Sequence, residues 1–129
     1  MKNLFVLLIL LLSCSSISGA QDVEKKISTV VNPSWSTGST IYEVNIRQFT
    51  PEGTFKALTT HLPRLQEMGV DILWLMPIHP IGEKNRKGSL GSYYSIQNYL
   101  EVNPEFGNLD DFKNFVKKSH EFGMKVVID

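Results

Sequence analysis

The chain has 129 residues, enough for one small domain, with 13 basic and 13 acidic side chains and 42% hydrophobic residues. That balance gives no basic surface for nucleic acid and no acidic tail, and it is ordinary for a globular protein. The single cysteine, Cys14, excludes an internal disulfide framework.

The amino terminus reads as an export signal. Lys2 and Asn3 precede an unbroken apolar run from Leu4 to Leu12. Such a run is too short to span a bilayer, and a basic start with a short apolar core is the layout of a secretory signal. Two cleavage sites compete. Leu11-Leu12-Ser13-Cys14 resembles a bacterial lipobox, which makes residues 1–13 the signal and Cys14 the lipidated amino terminus. Ser18-Gly19-Ala20 offers an ordinary signal-peptidase site after residue 20. The lipobox is preferred because Cys14 lies at the end of the apolar run. The expected location is then a bacterial cell envelope, with a lipid anchor on the membrane; the other site implies a periplasmic or secreted protein. Residues 14–40 are Ser/Thr-rich with little periodicity and are expected to form a linker.

A repeating unit follows. Ile41 to Phe49 is rich in β-formers and is expected to be the first strand. Thr50-Pro51-Glu52-Gly53 is turn chemistry, and Thr54 suits a helix N-cap. Phe55, Leu58, Leu62, Leu65 and Met68 recur at helical spacing, with Pro63 kinking or dividing the helix near His61. Gly69 suits the C′ position. Ile72 to Met76 is apolar at successive positions, which predicts a strand buried on both faces with Trp74 in the core. Pro77 ends that strand, having no N–H for a ladder.

A long, tyrosine-rich loop then runs to Asn108, with Glu83 to Lys87 expected as a solvated tip. Loops of this length in compact domains are usually functional or disordered, and this one leaves the carboxyl end of a buried parallel strand, where α/β proteins bind ligands. Asn108 is expected to cap a second helix, with Asp110 and Asp111 favourable in its first turn and Gly123 at its end. Lys125 to Asp129 begins a third buried strand. Strands alternating with helices imply an α/β fold with a parallel sheet, and spacing alone leaves an open sheet and a barrel both standing. No glycine-rich phosphate loop follows a strand, which counts against nucleotide binding. His61, His79 and His120 lack metal-ligand spacing, so no metal site is expected in these residues.

Five segments in order, Ile41 to Phe49, Gly69 to Pro77, Gly91 to Tyr99, Asn103 to Gly107 and Val126 to Asp129, together resemble the α-amylase family, glycoside hydrolase family 13. The resemblance implies a (β/α)8 TIM barrel that cleaves or transfers α-glucosidic bonds with retention. Residues 41–129 would then be its first three β/α units, a truncated, N-terminal part of the catalytic domain. It implies that Tyr94 stacks on a sugar ring of an α-glucan or maltooligosaccharide, and that Asp129, first residue of the family's Asp-x-x-x-Asn-His motif, supports the catalytic centre. Asn98 stands where an aspartate is usual, so it keeps an acceptor and loses a charge. His79 lies at the expected active face. The family's catalytic carboxylates come from later strands, so none is expected among these residues, which alone should be inactive. Calcium is a ligand expected only of the full-length enzyme, and no other cofactor is expected. A second class, a barrel of the same family that binds sugar or a partner without catalysis, differs only in lacking those carboxylates.

Overall fold

The computed structural model describes residues 31–129. The export signal and Cys14 lie outside the described residues. The chain divides between residues 37 and 38 into two units. In the first, Ser34–Ser36 form one 3-10 turn, closed by the Ser36 N–H donating to Pro33 O at 2.9 Å and the Ser36 hydroxyl at 2.8 Å.

The second unit is an α/β layer. Strands β1 (Ile41–Val44), β2 (Ile72–Leu75) and β3 (Lys125–Ile128) form one parallel sheet in the order β1-β2-β3. The register aligns Ile41, Ile72 and Lys125 at one end and Val44, Leu75 and Ile128 at the other. Parallel neighbours require long crossovers, and helices supply them. Alternate side chains point to opposite faces, so Val44, Leu73 and Leu75 enter the core while Ile41, Trp74 and Val127 lie on the other face.

The first strand is shorter than its β-forming composition suggests. Only Ile41–Val44 is strand, and Ile46–Phe49 form a one-turn helix, α1. The Gln48 and Phe49 N–H groups donate to Asn45 O at 3.1 and 2.9 Å. Ile46 and Phe49 stand three apart, which puts both on one side of a helical turn. Ile46 is buried, and Phe49 packs edge-on against Tyr42 and His61.

The first crossover divides at the expected place. Helix α2 (Phe55–Thr59) has Thr54 as N-cap, its hydroxyl accepting from the Ala57 N–H at 3.2 Å. Helix α3 (Leu62–Glu67) begins after His61 with Pro63 in its first turn, where the missing N–H costs nothing. Gly69 follows at φ +83°, a left-handed position that closes the helix before β2. Helix α4 (Leu109–Glu121) opens with a reciprocal cap: Asn108 Oδ1 accepts from the Asp110 and Asp111 N–H groups, both at 2.9 Å, and Asp111 Oδ2 accepts from the Asn108 N–H at 3.1 Å.

Phe55 is the centre of the core. It is fully buried, with ring centroids of Phe106, Phe112 and Phe115 at 6.3, 5.4 and 6.1 Å. Burying one such side chain stabilises by roughly 1.5–3 kcal/mol. Leu58, Leu62, Leu65 and Met124 complete the layer between helices and sheet.

The expectation that β2 is buried on both faces, with Trp74 in the core, is corrected. Trp74 is 38% exposed, beside Ile41 and Val127, and with Ile72 they line an open apolar cleft. Among the described residues, the helices cover one face of the sheet only.

Candidate functional site

All three strands deliver the residue after them to the same end of the sheet: Asn45, Met76 and Asp129. Backbone bonds hold two of these positions, the Met76 N–H donating to Val44 O at 3.0 Å and the Asp129 N–H to Leu75 O at 2.9 Å. The Asp129 side chain is thereby carried at the rim.

The loop of residues 76–108 is a built structure. An antiparallel bridge pairs Ile81 with Ile96. The Gly82 N–H donates to Ser95 O at 2.7 Å, Gln97 to Pro80 O at 2.8 Å and Asn103 to Ile78 O at 2.8 Å. Ile78, Ile81 and Phe106 are buried under it. Within the loop, Ser92 to Ser95 is a tight turn closed by the Ser95 N–H to Ser92 O at 3.0 Å.

That turn brings Tyr94 to Asp129. The phenol O–H donates to Asp129 Oδ2 at 2.7 Å, across 35 residues of sequence. The bond holds the Tyr94 phenol above the ordinary tyrosine value, because ionisation forfeits the donor; desolvation and the negative charges of Asp129 and Glu43 push the same way. Tyr94 is therefore neutral at pH 7 and keeps its donor. It is also 59% exposed. A half-open aromatic ring, oriented by its own hydroxyl beside a carboxylate, offers an apolar plate and an acceptor side by side.

His79 and Asn98 are engaged elsewhere in the loop. His79 Nδ1 lies 2.9 Å from Glu101 O, and its ring is 5.6 Å from that of Tyr99. A carbonyl only accepts, so the neutral ring carries its proton on Nδ1 and keeps Nε2 as the acceptor. Asn98 Oδ1 accepts the Leu100 N–H at 2.9 Å in a local Asx-type turn. Of the predicted site residues, the structure joins Tyr94 to Asp129 and places His79 and Asn98 in other parts of the loop.

Sequence reasoning missed Arg47, on α1. Its Nη2 donates to Glu105 Oε2 at 2.7 Å, and its guanidinium carbon stands 4.7 Å from the Tyr93 ring centroid. The partner lies 58 residues away, so no local pattern announces the pair; a lone cation between the apolar Ile46 and Phe49 was the one hint.

Beside the turn, a cavity of about 200 Å³ is bordered by Lys84, Arg86, Lys87, Ser92 and Ser95. Arg86 braces it by donating to Ile81 O at 2.7 Å and Gly82 O at 3.0 Å. Among the described residues, no three His, Cys, Asp or Glu side chains are grouped to hold a metal ion.

Comparison with known proteins matches residues 20–129 to the family described as alpha amylase, catalytic domain. An α-amylase structure from Lactobacillus plantarum is 50% identical with a TM-score of 0.69, over 70% of this chain and 22% of that one. An α-amylase from Geobacillus thermoleovorans, solved complexed with acarbose, is 30% identical with a TM-score of 0.58, over 70% of this chain and 22% of that one. An alpha-1,4-glucan:maltose-1-phosphate maltosyltransferase from Rhodospirillum rubrum is 38% identical over 87% of this chain and 19% of that protein. The chain thus spans about a fifth of the length of these relatives.

Proposed function

Because the chain belongs to the α-amylase family by its match to the catalytic domain, we propose that residues 41–129 are the first three β/α units of a (β/α)8 barrel, in a retaining glycoside hydrolase acting on starch or maltodextrin. The observation that carries the reading is the Tyr94 to Asp129 hydrogen bond at the carboxyl ends of three parallel strands. Ligand sites of such barrels lie at that end.

The chemistry of the residues supports it. A pyranose presents axial C–H groups as an apolar patch, which suits the exposed Tyr94 ring. Asp129 orients that ring and remains an acceptor. Retaining cleavage further needs two carboxyl groups about 5–5.5 Å apart, which we assign to later strands. The family relation to an acarbose-bound amylase supports an oligosaccharide as ligand.

A second reading concerns the donor. The cavity bordered by Lys84, Arg86 and Lys87 adjoins the turn that carries Tyr94, and one relative is a maltosyltransferase acting with maltose 1-phosphate. Cationic groups beside a sugar plate would favour a phosphorylated donor and transfer over hydrolysis. A non-catalytic sugar-binding barrel is the remaining alternative.

The test is the full-length protein with maltodextrin and, separately, with α-maltose 1-phosphate. Reducing sugar released from maltodextrin supports the hydrolase; phosphate released from α-maltose 1-phosphate, with its maltosyl group joined to added maltodextrin acceptor, supports transfer; neither, with oligosaccharide still bound, supports the binding protein. Tyr94→Ala should lower kcat/KM by about tenfold or more, from a stacking contact worth roughly 0.5–1.5 kcal/mol beyond buried area. Unchanged kinetics in a folded variant would remove Tyr94 from the site. We also propose export with lipidation of Cys14; mass spectrometry should find a diacylglyceryl group there, and a mature chain beginning at Gln21 would refute it.

A further inference from the structure

We propose that Arg47 is a positioning residue for Tyr94, acting through the ring of Tyr93. The functional consequence rests on the reading of Tyr94 as a sugar-contacting residue; the positioning itself does not.

Arg47 is a clamp between the end of β1 and both halves of the loop. Its guanidinium carbon stands 4.7 Å from the Tyr93 ring centroid and 5.9 Å from that of Phe106, while Nη2 donates to Glu105 Oε2 at 2.7 Å. The Arg47 side chain is only 16% exposed, against 55% for Glu105. A planar fork serves both partners at once: its face meets the rings and its edge meets the carboxylate.

Each end of the clamp is itself fixed. Gly53, at φ +62°, closes on the Arg47 backbone so tightly that a Cβ there would stand 2.9 Å from Arg47 O. Glu105 sits in a turn in which its N–H donates to Asn103 Oδ1 at 3.0 Å and the Phe106 N–H donates to Asn103 O at 2.9 Å. Tyr93 and Tyr94 are the two central residues of the Ser92 to Ser95 turn, and the Tyr94 N–H donates to Ser92 Oγ at 3.3 Å. The Tyr93 ring packs against the core, and the Tyr94 ring stands out toward Asp129. Holding the first ring sets the turn, and the turn sets the direction of the second. Tyr94 has no comparable packing of its own. Its place at Asp129 depends on one hydrogen bond and on this lever.

The experiment places 3-fluorotyrosine at position 94 of the full-length protein and follows its titration by fluorine NMR. The charged groups facing that phenol are Asp129 and Glu43, and Arg47 is faced by Glu105, so the variants chosen leave the Asp129 side untouched. In Arg47→Met the midpoint should fall toward that of free 3-fluorotyrosine as the bond to Asp129 is lost. In Arg47→Lys, which keeps the charge and loses the plane, it should fall part of the way. Glu105→Gln should give a smaller fall. Should Arg47→Met not fold, Arg47→Lys and Glu105→Gln decide in the same direction. An unmoved midpoint in the folded Arg47 variants would overturn the proposal. Added maltooligosaccharide separates the two ideas: a fluorine signal insensitive to sugar, with the midpoint still moved by Arg47 variants, would sink the sugar site and leave the lever standing.

Discussion

Both faces of the sheet carry large apolar side chains, with Glu43 and Lys125 added on one of them, and the two have opposite surroundings. Val44, Leu73 and Leu75 are fully buried beneath the helices, while Ile41 is 57%, Val127 48% and Trp74 38% exposed on the other side. Ile41, Trp74 and Val127 are as apolar as the side chains of the covered face, so their exposure follows from which elements are present to cover a strand. Large exposed apolar patches on natural proteins mark surfaces that meet something. In a closed barrel the inward face of each strand meets the other strands, and the uncovered face of β1 to β3 is what an opened portion of such a barrel presents.

The comparison is sharpened first on the helix-covered side. Phe55→Ala should cost about 3–5 kcal/mol of unfolding free energy, and Leu73→Ala about 2–5 kcal/mol, in any polypeptide that contains this unit. Denaturant titration of the full-length protein measures both. Trp74→Ala, although the residue is half-exposed here, should approach in the full-length protein the roughly 3–5 kcal/mol typical of a buried aromatic. A cost under about 1 kcal/mol there would mean that nothing covers this face.

A smaller effect concerns the cap of α4. Asn108→Ala removes the acceptor of two N–H groups and should cost about 1 kcal/mol. The same denaturant titration checks it, and Asn108→Ser should restore most of the loss.

The smallest effect is electrostatic. The Tyr94 phenol is raised above its ordinary value in the folded protein, chiefly by its hydrogen bond to Asp129. A raised group contributes stability that is present below its unfolded value and is lost as pH rises through its folded one. The contact should therefore be intact at neutral pH and fade in the alkaline range, above about 10. Asp129→Asn should lower the Tyr94 midpoint, visible by ultraviolet difference absorbance, with little change in melting temperature. A midpoint unaffected by that change would mean the two residues do not meet.

What could be read from the sequence was the local chemistry. Pro63 divides the first crossover, Gly69 ends α3, and Asn108 with Asp111 caps α4, each because one residue type answers one backbone requirement. The alternation of strands and helices gave the parallel sheet. The end of β1 was misread because Ile46 and Phe49 are strong β-formers, although their spacing of three fits a helical turn equally well. Trp74 was misplaced because an apolar run does not reveal which of its faces is covered. The Arg47 to Glu105 pair and the Tyr94 to Asp129 bond close over 58 and 35 residues, and contacts at that range leave no periodic signature. Tyr94 and Asp129 were each singled out through family resemblance; that they touch was not legible.

The most direct test of the open-barrel reading is a pair of thermal melts, with a reducing-sugar assay on each sample. Residues 21–129 expressed alone expose two sheet edges and one apolar face, which pair with other chains when left uncovered. They should aggregate or melt without cooperativity, and show no activity on starch. Extending the polypeptide through the remaining strands should restore a cooperative transition and glucan cleavage together. A monomeric, cooperatively melting 21–129 would contradict the reading and show that these residues form a complete domain.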